Sequence, residues 1–81
     1  MSKKFVEKNI KLSLEFDKYL AKNPKAYNKI PKGACIIITQ KGDKIFNKAS
    51  IAIVRSAKEE KQKCIEARKE GAHWILQPLA A

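Results

Sequence analysis

Residues 34–39, Ala-Cys-Ile-Ile-Ile-Thr, constrain the fold more than any other part of the chain. They form a continuous, mostly β-branched run with Gly33 before it and Gln40-Lys41-Gly42 after it, which predicts a strand buried on both faces. The remaining sequence must therefore supply both cover and pairing for one short strand.

Cover comes first from the amino-terminal side. From Phe5 to Lys22 apolar residues recur at helical spacing, and Asn23-Pro24 closes the segment because the residue before proline avoids the helical region. Drawn at about 3.6 residues per turn, this helix carries Lys4, Lys8, Lys11, Lys18 and Lys22 on one face, with Glu15 the acid among them. Phe5, Leu12, Phe16 and Tyr19 lie on one flank and Val6, Ile10 and Leu14 on another, so two neighbours are expected. Between the flanks Asn9, Ser13 and Asp17 make a polar stripe along the side that should be buried. A connector follows, punctuated by Pro24, Pro31 and Gly33, with Tyr27 and Ile30 expected to anchor it.

Beyond the strand, Asp43 is placed to cap a second helix, because its carboxylate can accept the free amides of the first turn. Phe46, Ala49, Ile53, Ala57, Cys64 and Ala67 fall on one helical stripe, so the spacing predicts a helix running to Glu70 with Gly71 as its stop. Residues 72–77, ended by Pro78, have strand composition. The expected class is α/β: a small αβαβ domain over residues 1–81 with a two-stranded parallel sheet. Its lengths conflict, since such a helix spans about 40 Å and a six-residue strand about 20 Å. Either the helix breaks, or its overhanging part from Lys58 to Glu70 is covered by something else. Two open sheet edges likewise predict a partner copy, most simply a homodimer that completes or covers the sheet.

The phrase Asn9 to Leu20 with Glu15 and Tyr19, then Pro24, Ile30-Pro31 and Gly33-Ala34 before an apolar strand, resembles an uncharacterised family of small bacterial and archaeal proteins. Asp43, Phe46 and Asn47 extend the likeness over most of the chain. The family is a domain of unknown function, so the resemblance supports the αβαβ order and implies no activity, ligand or catalytic residue.

Composition narrows function by exclusion. The chain has 81 residues, 44% of them hydrophobic, and a formal net charge of +10. No apolar run approaches the roughly 18 residues of a membrane span, and Met-Ser-Lys-Lys leads into an amphipathic segment. A soluble cytoplasmic protein without a membrane partner is the expectation. Cys35 and Cys64 lack any CxxC spacing and fall on predicted core faces, and with the single His73 they match no zinc pattern, so neither metal nor cofactor is expected. His73 is read as a strand histidine, and Glu59, Glu60, Glu66 and Glu70 as a solvated helix face, which leaves no catalytic constellation and no enzyme.

Three places remain where function can sit. The turn with Lys41, Gly42 and Lys44 lies at the carboxyl end of a strand and the amino end of a helix, where an anion is favoured. The alternative there is an ordinary turn capped by Asp43. The stripe of Asn9, Ser13 and Asp17 either hydrogen-bonds to the connector or a symmetry mate, or lines a pocket in which the carboxyl of Asp17 is shifted. Finally, outside Lys58–Glu70 there are 13 basic and 4 acidic residues, a field that attracts phosphate backbones. With only two arginines the chain lacks the residue suited to reading bases. The expected function is a small, basic, non-enzymatic, self-associating protein that binds nucleic acid weakly and without sequence preference; the alternative is an interaction or regulatory module for an acidic protein.

Overall fold

A computed structural model describes residues 3–57 and 62–79. Helix α1 (Lys3–Lys22) is followed by the short α2 (Pro24–Tyr27), strand β1 (Cys35–Gln40), helix α3 (Lys44–Ala57) and strands β2 (Cys64–Glu70) and β3 (His73–Pro78). The strands form one mixed sheet in the order β1-β2-β3. β1 and β2 run parallel with Cys35 opposite Cys64 and Ile38 opposite Ala67, while β2 and β3 run antiparallel with Glu66 opposite Gln77.

The fold is α/β, and the sheet has three strands rather than two. The expected helix to Glu70 is not continuous: α3 is described to Ala57, and the charged half expected to overhang the sheet contains its central strand. Length explains the break: a 14-residue helix spans about 21 Å, the length of the strand it crosses over. Residues 64–70 contain good helix formers, but pairing on both sides outweighs that preference. Lys58, Glu59 and Glu60 lie outside the described residues. Gly71, expected as a helix stop, instead turns the β2-β3 hairpin at φ +61°, the positive φ that a type II′ turn requires at its first central residue. With β2 paired on both sides, the sheet no longer needs a partner copy on the ground that it has only two strands.

Alternation along the strands places Ile36, Ile38, Ile65, Ala67, Trp74 and Leu76 on one face, and there α1 packs. Leu12 and Phe16 join Ile38, Phe46 and Ala67 in the core cluster, with Phe5, Tyr19, Trp74 and Leu76 against it. The first flank of α1 is thus the buried one. The second is not: Val6, Ile10 and Leu14 are 39, 55 and 58% exposed, while the first flank meets both the sheet and Phe46 of α3. Of the two connector anchors Ile30 reaches the core, whereas Tyr27 is exposed and Ala26 is buried in its place. No described helix is long and apolar enough to cross a membrane.

Candidate functional site

At the expected anion site the Asp43 carboxylate sits at the head of α3. Asp43 precedes α3, and its Oδ1 accepts the Phe46 N–H at 3.1 Å while Oδ2 pairs with the ammonium of Lys8. The hydrogen bond from Lys8, then that from the Phe46 amide, hold the Asp43 carboxyl below its ordinary value. Gly42 takes φ +87° in the turn. Lys41 is exposed, 3.8 Å from Glu70, and Lys44 is exposed at the head of α3. Asn47, one turn into α3, accepts the Gln40 N–H at 2.8 Å and donates to the Gln40 carbonyl at 2.7 Å. Its carboxamide replaces a neighbouring strand at the end of β1 and fixes the turn against the helix.

The lysine face of α1 is split by this arrangement. Lys8 is consumed by Asp43 and lies 5.1 Å from the Phe46 ring centroid, whereas Lys4, Lys11, Lys18 and Lys22 remain exposed. Lys4, Lys8 and Lys11 border a cleft of about 460 Å³ together with Glu7, Glu15, Gln40 and Lys69. Lys69, from the end of β2, donates to Glu15 Oε1 at 2.8 Å. The sequence offers no sign that Lys69 belongs with these residues, because its spacing places it on a helix.

A second, larger concavity of about 570 Å³ lies between α1 and α3 beside β1. Asn9, Ser13 and Asp17 all line it, so the polar stripe is not interior: Asn9 and Ser13 are half-buried and Asp17 is exposed. Ser13 Oγ donates to Asn9 Oδ1 at 3.3 Å.

Glu66, expected on a solvated face, is 6% exposed in the middle of the sheet. Its Oε2 accepts from Thr39 Oγ1 at 2.6 Å and from Arg68 at 3.0 Å, and its Oε1 from Gln77 at 2.9 Å. Burial pushes its carboxyl up, but the bonds from Thr39, Gln77 and Arg68 outweigh burial and hold it below the ordinary value. A carboxylate with both oxygens occupied is a structural clamp joining β1, β2 and β3.

Cys35 and Cys64 are both free thiols, set opposite each other by the β1-β2 register. His73 is exposed. Among the described residues no three of His, Cys, Asp and Glu gather as a metal site would require.

The fold and its surfaces define a small mixed-sheet α/β protein with a lysine-covered helix and an apolar groove. The chain belongs to a family of unknown function, DUF5647, whose model matches residues 4–76. No match was found among curated proteins or solved structures.

Proposed function

We propose that this is a small, basic, non-enzymatic protein that binds nucleic acid along the outer lysines of α1, weakly and without sequence preference. The supporting observation is that Lys4, Lys11, Lys18 and Lys22 are exposed along one helix and make no ion pair with a described residue. From Lys4 to Lys22 the helix advances about 27 Å. That distance equals roughly eight phosphate steps along one duplex strand. Lysine ammoniums act as point charges and carry no bidentate code for bases.

Anisotropy titration of a short labelled duplex tests this reading. With four phosphates neutralised, log K against log salt is expected to fall with a slope of about −3.6, and Lys11→Ala with Lys18→Ala to reduce that slope by about 1.8. Duplexes of different sequence should bind alike. A flat salt response, or strong preference for one sequence, rejects the proposal; salt-insensitive binding to an acidic protein with no affinity for the duplex favours the alternative partner.

Self-association belongs to the same proposal, through the outer edge of β3. Leu79 N–H bonds the Cys64 carbonyl, so alternation turns the N–H groups of Trp74 and Leu76 away from β2. Residues 73–77 contain no lysine, arginine or proline, and an edge segment lacking such guards is a template for pairing. Light scattering at micromolar concentration is expected to give twice the 9.2 kDa chain mass, and Ile75→Lys to return it to one. A wild-type particle of single-chain mass removes this part of the proposal.

A further inference from the structure

The groove between α1 and α3 has a chemistry opposite to that of the rest of the surface. Val6, Ile10, Tyr27, Ile36, Ile53 and Val54 give it apolar walls, and its volume of about 570 Å³ lies in the range of small-molecule sites. Of the 81 residues 18 are Lys or Arg, yet none of the described residues lining the groove is either. Asp17 is the one charged residue among them. It has no ion pair or hydrogen bond with any described residue.

A second observation comes from the opposite wall. Ser50, on α3, is 3% exposed and lines the groove, and its hydroxyl is buried with no hydrogen-bond partner among the described residues. An unpaired buried hydroxyl costs free energy that a bound polar atom would recover. Ser13 already occupies the Asn9 carbonyl oxygen, which leaves the Asn9 amide NH₂ to donate. Apolar walls, one unpaired carboxylate and a few polar atoms describe a site for an amphipathic molecule, and the sign of its head group follows from Asp17. The chain as a whole carries a formal charge of +10, yet the one charge lining this groove is negative.

We propose that the α1-α3 groove binds a small apolar molecule carrying one ammonium group, with Asp17 taking the cation and Ser50 a second polar contact. The site is separate from the lysines of the proposed nucleic-acid surface and does not rest on that reading.

Titration of the full chain with n-octylammonium, followed by amide chemical shifts and calorimetry, is the test, with n-octanoate and n-octanol as comparisons. Octylammonium is expected to shift the amides of Asp17, Ile36 and Ile53 and to bind at least tenfold more tightly than either comparison. Asp17→Asn, a near-isosteric exchange at an exposed position, should remove most of that advantage while the amides outside the groove keep their shifts. Asp17→Lys should reverse the preference toward octanoate. Equal binding of all three probes in the groove, an unchanged octylammonium affinity in Asp17→Asn, or no groove shift at millimolar probe would each overturn the proposal.

Discussion

Replacing Glu66 with alanine is expected to lower the unfolding free energy by about 3 kcal/mol, read as a shift of the urea midpoint at pH 7. The carboxylate binds three strands at once, accepting from Thr39 on β1, Gln77 on β3 and Arg68 on its own strand. Truncation strands the hydroxyl of Thr39, a residue with 0% exposure, and takes from Arg68 the carboxylate with which it pairs. Glu66→Gln should cost less, about 1–2 kcal/mol, since the amide retains one acceptor oxygen. The sign of the pH dependence follows from the direction of the shift. Because the folded state holds the carboxyl below its ordinary value of 4.5, the stabilisation is complete above that value and is lost as pH falls through the folded one. Wild type should therefore weaken in acid more steeply than Glu66→Gln. Indistinguishable midpoints at neutral pH would show that the clamp contributes nothing.

The same residue shows where the sequence stops being informative. β1 is legible because every position from Cys35 to Thr39 is apolar or β-branched, and the register of its neighbours does not alter that. The Asp43 cap is legible because its partner amide is three residues away. β2 is not. Glu66, Arg68, Lys69 and Glu70 favour a helix locally, and Cys64 and Ala67 continue the helical stripe of Phe46 and Ile53 by coincidence of spacing. The burial of Glu66 makes sense only once Thr39, 27 residues earlier, and Gln77, 11 residues later, have been brought beside it. The surfaces divide in the same way. Helical spacing aligns the α1 lysines and the Asn9, Ser13, Asp17 stripe, since both are properties of a single element. The loss of Lys8 to Asp43, the arrival of Lys69 and the placing of Ser50 across the groove depend on tertiary packing.

Phe16→Ala should cost more than the loss of the Glu66 clamp, about 4 kcal/mol. Its ring is 4% exposed, sits 5.0 Å from Trp74 and 6.2 Å from Tyr19 between centroids, and joins Leu12, Ile38, Phe46 and Ala67 in the core. A chain of this length has a total stability of about 4–12 kcal/mol, so the variant should lose between about a third and all of it. Thermal unfolding is expected to move down by about 15–30 °C. Phe16→Leu refills most of the volume and should cost about 1.5 kcal/mol. Ile10→Ala, on the same helix but the exposed flank, should stay within about 0.5 kcal/mol. The contrast between Phe16 and Ile10 is the informative quantity, because α1 carries apolar residues on two flanks and only one of them is packed. Comparable losses at both positions would mean that the second flank is also covered in solution, and that the groove beside it is closed.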